Sequence, residues 1–230
     1  METDFSAKFL GQNCFLFTYK GVNILTDPFF EIGQEKSGFN LIDQEIHYVL
    51  ITHAHGDHTA DVEKTLSKYP NAKLIAQPEI CAYFKHEHIV DINFGGSAKI
   101  QDLKISMVPA SHTSSFPDGT YGGVPCGYIF RMPGKNVYFA GDTGVMADMG
   151  LFPELFGPID VAVLPIGSHY TMCARKASFA ATALLKTPRV IGCHFDTFPP
   201  IEIDHQSAKE LFDERNIDLT LPKLGEQINF

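Results

Sequence analysis

Four potential metal ligands fall within six consecutive residues, His53-Ala54-His55-Gly56-Asp57-His58, directly after the apolar run Tyr48-Val49-Leu50-Ile51. Side chains two positions apart do not share a helix face, and Gly56 is typical of a tight turn. We therefore predict a loop at the end of a buried strand, with a new helix from Thr59 onward. Imidazole nitrogen and carboxylate oxygen suit zinc and its first-row neighbours. The cluster predicts a site for one or two cations, and a polar surface loop without function is the disfavoured alternative.

Three further apolar segments each lead into a residue that can bind a metal. Val108-Pro109-Ala110-Ser111 precedes His112, Val137-Tyr138-Phe139-Ala140-Gly141 precedes Asp142, and Val190-Ile191-Gly192-Cys193 precedes His194. Sites in open α/β sheets lie at strand ends, where loops leave room for a substrate. Taken singly, each residue is more simply a hydrogen-bonded histidine at a strand end or a turn aspartate. Together with the cluster, they predict one site on one rim of the fold.

The elements that position these side chains follow from the apolar pattern. Apolar stripes at helical spacing predict helices within 62–69, 177–185 and 208–212, and Pro78 opens another that runs to about His86. Strands are predicted at 14–19, 22–25, 48–51, 74–76, 98–101, 104–109, 127–131, 137–140, 161–164 and 190–193, with loops over 30–46 and 111–126. A meander followed by alternating strands and helices predicts sheet packed on sheet with helices outside. Because no linker or repeat interrupts the chain, we predict that residues 1–230 form a single domain.

Composition narrows the functional class. Hydrophobic residues make up 44% of the 230-residue chain, enough for a full core without disulfides. The net charge of −9 and the lack of a basic run argue against nucleic acid as the main partner. Met1 to Leu10 show no signal-peptide pattern, and no apolar run approaches membrane-spanning length. The five cysteines are widely spaced without a CxxC motif, which predicts reduced thiols. We expect a cytoplasmic protein with a small-molecule substrate and no nucleic-acid or membrane partner. The sequence is compatible with a homo-oligomer.

The metal motif resembles that of the metallo-β-lactamase superfamily. The members of this superfamily are metal hydrolases with an α/β fold, a four-layer αββα sandwich. The likeness spans almost the whole chain and is nearest to small stand-alone hydrolases related to the ascorbate-phosphate lactonases. The segments that carry it are the motif itself, Leu25-Thr26-Asp27-Pro28-Phe29, Tyr121-Gly122-Gly123, Ala140-Gly141-Asp142-Thr143-Gly144, Leu164-Pro165-Ile166-Gly167 and Thr197-Phe198-Pro199.

The resemblance implies two adjacent cations per chain, Zn2+ first and Mn2+ or Fe2+ as alternatives. It assigns His53, His55 and His112 to the first cation, Asp57, His58 and His194 to the second, and Asp142 to a bridge between them. Two cations can share a hydroxide near neutral pH while one polarises a carbonyl or phosphoryl oxygen. Asp57 is expected to orient that nucleophile and to pass a proton to the leaving group. Asp27 resembles the family aspartate that fixes the tautomer of a ligating imidazole.

Two segments depart from the family pattern. Gly11-Gln12-Asn13-Cys14 stands where the branch usually has a histidine and a serine, and Ser168-His169 replaces a more usual acidic residue. The loop from Gly167 to Thr171 follows a strand and is predicted to overhang the metal site. His169 is our candidate substrate contact there, together with Tyr170, and the alternative is that both pack against the loop at 111–126.

Other reactive side chains are assigned to structure. His86 and His88 are predicted on a solvated helix end, and His47 and His205 in local hydrogen bonds. Cys193 is predicted to point into packing, because it alternates with His194 along the strand.

The leading functional hypothesis is hydrolysis of a small ester, lactone or phosphodiester at a dinuclear site. One alternative is a mononuclear iron enzyme of the sulfur dioxygenase type, which a metal assay would distinguish. A second is nucleic-acid cleavage, for which the length and charge leave little room. A third is a non-catalytic binding protein on a decayed scaffold, although decay should remove ligands and all seven are present.

Overall fold

The computed structural model describes residues 5–30 and 38–230, which form two seven-stranded sheets. The first sheet contains β1 (Phe5–Gly11), β2 (Cys14–Tyr19), β3 (Val22–Thr26), β4 (Tyr48–Leu50), β5 (Lys73–Ala76), β6 (Ile89–Asp91) and the C-terminal strand β14 (Gln227–Asn229). Their order is β14-β1-β2-β3-β4-β5-β6. Pairing is antiparallel from β14 to β3 and parallel from β3 to β6.

The second sheet contains β7 (Ser97–Ile100), β8 (Leu103–Pro109), β9 (Cys126–Met132), β10 (Lys135–Phe139), β11 (Val161–Pro165), β12 (Arg189–Cys193) and β13 (Asp218–Thr220). Their order is β13-β12-β11-β10-β9-β8-β7. β7 to β10 form an antiparallel meander, and β10 to β13 are parallel. β8, β10, β11 and β12 therefore all run in the same direction and end on the same edge.

The helices are short and flank the sheets. They are α1 (Gly56–Thr59), α2 (Val62–Lys68), α3 (Pro78–Phe84), α4 (Phe152–Phe156), α5 (Ala174–Phe179) and α6 (His205–Asp213). α5 continues as a π-helical turn over Ala180–Leu185, and 3-10 turns lie at Gly38–Leu41, Ala147–Leu151 and Pro199–Ile201. None of the helices in the described ranges is long and apolar enough to cross a bilayer.

Three apolar clusters separate four layers. The cluster between the sheets is rich in phenylalanine, with the rings of Phe17 and Phe130 5.0 Å apart across the sandwich. A second cluster packs α2 and α3 onto the outer face of the first sheet, and a third packs α5 and α6 onto the outer face of the second. Because both faces of the central strands are buried, these strands read as continuous apolar runs. The predicted α/β four-layer sandwich is confirmed.

The predicted strands and helices are all present, and the differences lie at the margins. The prediction omitted β1, β6, β13 and β14. Of these, β6, β13 and β14 have three residues each and do not give a measurable apolar run. The predicted loop at 30–46 holds a 3-10 turn at Gly38–Leu41, and its residues 31–37 lie outside the described ranges.

Candidate metal centre

The predicted ligands meet on one rim, at the ends of strands from both sheets. His53 follows β4 by three residues, and His112, Asp142 and His194 follow β8, β10 and β12. The first sheet therefore supplies the histidine cluster and the second sheet supplies the remaining three residues. Sequence positions about 140 residues apart are joined in this way, because parallel strands carry their carboxyl ends to a common edge.

All seven predicted ligands lie in one cluster. Three sets have potential ligand atoms within 4.8 Å of one another: His53, His55 and His112; His53, His58 and Asp142; and Asp57, His58 and His194. The first and third sets are those that the resemblance assigns to two separate cations. Asp142 lies between them, with its Oδ2 3.5 Å from Nε2 of His112 and 3.0 Å from Nε2 of His194.

The predicted loop around the cluster is partly wrong. Residues 53–55 are irregular, but Asp57 and His58 lie in the helical turn α1. Backbone N–H groups close that turn, with His58 donating to the carbonyl of His55 at 3.0 Å and Ala60 to that of Gly56 at 2.9 Å. The prediction failed because the helical spacing rule was applied to the whole run. His55 is extended and the helical turn begins at Gly56, so His53, His55 and His58 can converge although His58 is helical.

Asp27 is the centre of a buried hydrogen-bond hub beneath the cluster. Its Oδ1 accepts from the backbone N–H of Thr52 at 2.8 Å, and its Oδ2 accepts from the Thr52 hydroxyl at 2.7 Å. The same Oδ2 lies 2.9 Å from Nδ1 of His58 and accepts from Nδ2 of Asn13 at 3.2 Å. Burial raises the pKa of Asp27, while the bonds from His58 and Thr52 oppose that effect.

These contacts set which ring nitrogen faces the centre. Nδ1 of His58 faces Asp27, and Nδ1 of His53 lies 3.0 Å from the Thr52 hydroxyl, which itself donates to Asp27. Nε2 of His55 lies 3.2 Å from the Thr113 hydroxyl. The remaining nitrogens lie within the cluster: Nε2 of His53 is 3.1 Å from Nδ1 of His55, and Nε2 of His58 is 3.5 Å from Oδ2 of both Asp57 and Asp142. A hydrogen bond on one ring nitrogen is the usual way to fix a ligating imidazole.

Several polar atoms in the cluster have no hydrogen-bond partner among the described residues. They include Nε2 of His58, Oδ1 of Asp142 and Nδ1 of His194, all fully buried. Buried polar atoms in native proteins are almost always paired. Imidazole nitrogens and carboxylate oxygens that face one another in this way are suitable donors for zinc or a similar cation, which displaces the proton from a ligating imidazole when it binds, so these residues fit a metal site.

The charges in the cluster are strongly coupled. Burial opposes ionisation of the Asp142 carboxyl, but the neighbouring His194 and His58 outweigh it and hold its pKa well below the usual range. Burial also lowers the pKa of His194, yet Asp142 and Asp57 reverse this and raise it to about 9. The pKa of His53 is well below its usual value because burial dominates there. The site is thus built around two ionised carboxylates that need positive charge beside them.

A cavity of about 590 Å3 opens above the cluster. Its lining comprises His55, Asp57, His112, Thr113, Asp142, Tyr170, His194 and Phe198. The predicted overhanging loop does reach this cavity, through Tyr170. His169 is exposed, and its ring lies 4.5 Å from the Tyr170 ring. His169 is not among the lining residues, whereas Phe198 is, although the sequence prediction named Phe198 only within a family segment.

Sequence reasoning missed the residues that hold the ligands. Gln12 is fully buried, and its Nε2 donates to Oδ2 of Asp57 at 2.8 Å. Gln12 and Asn13 were noticed only as departures from the family pattern, and the structure shows that Gln12 contacts Asp57 and Asn13 contacts Asp27. Thr52 and Thr113 each adjoin a predicted histidine in sequence, which is the one signal that pointed to them.

The remaining side chains behave mostly as predicted. Nδ1 of His47 accepts from the backbone N–H of Asn23 at 3.1 Å, and Nε2 of His205 lies 2.5 Å from Asp196. His86 is half-buried rather than fully solvated, because its Nε2 lies 2.7 Å from the carbonyl of Ala72. Cys193 is buried between the sheets, and none of the five cysteines forms a disulfide in the described ranges.

The backbone of the rim is unusual. Residues other than glycine rarely adopt a positive φ, since Cβ then meets the neighbouring carbonyl. Six such residues lie in segments at or beside the site: Gln12 (50°), Asp27 (38°), Ser168 (64°), His169 (54°), His194 (54°) and Asp196 (58°). The geometry of the site is therefore held against local backbone preference.

Comparisons with known proteins agree with this picture. Residues 22–195 match the model of the Beta-lactamase superfamily domain. A UPF0173 metal-dependent hydrolase of Christiangramia forsetii is 40% identical over 96% of this chain and 97% of its own, and one from Pyrococcus furiosus is 40% identical over the same shares. The structure of Igni18, a metallo hydrolase from Ignicoccus hospitalis, has a TM-score of 0.86 at 33% identity and covers 98% of both chains.

Proposed function

Because the chain belongs to the β-lactamase superfamily, among its UPF0173 metal-dependent hydrolases, we propose that it hydrolyses a small ester, lactone or phosphodiester with two metal ions at this rim. The observation that carries the proposal is the fixed orientation of three imidazoles. His53, His55 and His58 each have one nitrogen held by a neighbour and the other directed into the cluster. A solvated histidine loop has no need of such an arrangement.

We assign the ligands as the resemblance does, with Asp142 shared by both ions. Its Oδ2 lies within 3.5 Å of imidazole nitrogens from both sets, which supports the bridging role. The seven donors exceed what one tetrahedral zinc needs. Zinc suits the mixed nitrogen and oxygen donors, and Mn2+ or Fe2+ are compatible with the same set.

The residues of the site have distinct roles in the proposed mechanism. Bound cations supply a lowered pKa for water and polarise the substrate carbonyl or phosphoryl oxygen. Asp57 faces the cavity and retains a pKa far below its usual value, since His58 and His194 outweigh its burial. Its carboxylate would orient the attacking water, accept a proton from that water and then pass the proton to the leaving oxygen. One water is consumed: the bond to the leaving oxygen breaks, a new bond to the water oxygen forms, and the leaving group departs as an alcohol.

The test combines metal analysis with a substrate screen. We expect about two equivalents of metal per chain, measured with both zinc and iron channels, and turnover of at least one member of a panel of lactones, esters, thioesters and phosphodiesters. Asp142→Ala should lower turnover by several orders of magnitude, because the paired geometry is lost, while the circular dichroism spectrum stays unchanged. A fully loaded protein that never exceeds one equivalent contradicts the dinuclear site. One equivalent of iron with no hydrolysis would favour the redox alternative.

A further inference from the structure

Two aromatic side chains, Tyr170 and Phe198, line the cavity together with the ligand cluster, and we call them the aromatic wall. Tyr170 comes from the loop after β11 and Phe198 from the loop after β12. Tyr170 is 55% exposed and Phe198 is 37% exposed. Apolar surface gathered at a cavity mouth is characteristic of a binding site.

Each ring packs against another aromatic or imidazole ring. Phe198 packs against Phe29, with ring centroids 6.2 Å apart, and Tyr170 meets the ring of His169 edge to face at 4.5 Å. Supported rings lose little freedom when a ligand packs against them, which makes aromatic walls efficient contacts. Phe29 follows Asp27 by two residues, so one short segment supplies both the hub carboxylate and the ring that packs against Phe198.

Charge in the lining is confined to the ligand cluster. The lining residues in the described part of the chain include no lysine or arginine, and the hydroxyls of Thr113 and Tyr170 are the other polar groups among them. The Thr113 hydroxyl lies 3.2 Å from Nε2 of His55. The non-reacting part of a substrate therefore meets rings and not a cation on this side of the cavity.

We propose that this non-reacting part is an uncharged aromatic or branched alkyl group, which packs between Tyr170 and Phe198 while the scissile ester or lactone bond lies over the ligand cluster. The inference rests on the proposed hydrolase function and narrows its substrate class. It disfavours substrates whose distal part is a phosphate, since such a group needs charged or multiple polar partners. A cavity of about 590 Å3 accommodates a group of the size of a phenyl or branched acyl chain beside the reacting atoms.

The first arm of the test measures binding. The metal-loaded protein is titrated with para-trifluoromethylbenzyl alcohol and followed by fluorine NMR, and trifluoroethanol serves as the matched probe without a ring. Tyr170→Ala and Phe198→Ala should each raise the Kd of the aryl probe about tenfold, equivalent to about 1.4 kcal/mol. Phe179→Ala is the control, because Phe179 is 45% exposed on α5 and does not line the cavity. Equal Kd values for all four proteins, or equal affinity for both probes, would overturn the proposal.

The second arm measures hydrolysis of methyl 3-phenylpropanoate against monomethyl succinate, in which a carboxylate replaces the phenyl ring and the rest of the ester is the same. We expect kcat/KM to be higher for the neutral ester, and Phe198→Ala to raise KM with metal content and melting temperature unchanged. Turnover of both esters at equal rates, insensitive to either wall variant, refutes the aromatic wall and leaves the hydrolase intact. If neither ester is cleaved and the panel of lactones, thioesters and phosphodiesters also gives no turnover, the hydrolase proposal fails, and the binding arm still decides whether the wall takes an apolar group.

Discussion

Asp27→Asn tests the hub with a nearly isosteric change. Four donors surround the carboxylate: the backbone N–H and hydroxyl of Thr52, Nδ1 of His58 and Nδ2 of Asn13. An asparagine has only one acceptor oxygen, so its amide N–H2 must face a donor whichever way it is placed. The least unfavourable placement directs it at the Thr52 N–H, because only that one donor faces Oδ1. The asparagine N–H2 and the Thr52 N–H then face each other, and this pair of buried donors has no acceptor.

The magnitude follows from this count. An orphaned buried donor costs about 1–3 kcal/mol, so we expect the free energy of unfolding to fall by about 2 kcal/mol and the melting temperature by about 4–8 °C for a chain of this size. Metal affinity should drop about 10- to 100-fold, which is the usual effect of removing the partner of a ligating histidine. The affinity for both ions should fall, because the hub holds His58 directly and His53 through Thr52.

The assay is competition with a chromophoric chelator together with thermal unfolding of the metal-free and metal-loaded forms. Asp43→Asn is the matched control, because the Asp43 side chain is 76% exposed and its contact with Lys8 is 3.5 Å long. It should change neither metal affinity nor melting temperature. Wild-type affinity for both ions in Asp27→Asn would refute the reasoning that the hub orients the imidazoles.

Two further substitutions address the rim. Gln12→Ala removes the donor that lies 2.8 Å from Asp57, so we expect kcat to fall about tenfold with KM nearly unchanged. The visible spectrum of the cobalt-substituted protein should shift as well. An unchanged spectrum and an unchanged kcat would show that the amide does not position Asp57. His169→Ala removes the ring beside Tyr170, so KM or substrate preference should change at constant metal content, and loss of a metal equivalent would instead identify His169 as a ligand.

The convergence of the predicted ligands could be predicted because most of them follow closely on an apolar run. His112, Asp142 and His194 follow strands that are buried on both faces, and such strands are the clearest signal in this sequence. Parallel strands then bring their ends together without further assumptions. The same reasoning placed Cys193 in the core, since it alternates with His194.

The residues that support the ligands were not predictable in this way. Gln12, Asn13 and Thr52 act through single hydrogen bonds whose partners are distant in sequence, such as the contact between Gln12 and Asp57 across 45 positions. Nothing in local periodicity reports a contact of that kind. The turn α1 was missed because its four residues are too few to show an apolar stripe at helical spacing.

The left-handed residues at the rim have a consequence for how this protein responds to selection. Each non-glycine residue in that conformation costs about 1 kcal/mol, so residues such as Asp27, His194 and Ser168 lower the free energy of unfolding at the place where the side chains matter most. Glycine at these positions would relieve the backbone strain, but it would also remove a predicted ligand or a side chain beside it. Stabilising substitutions that spare the site therefore lie elsewhere, for example in the phenylalanine-rich layer between the sheets, which contains none of the predicted ligands.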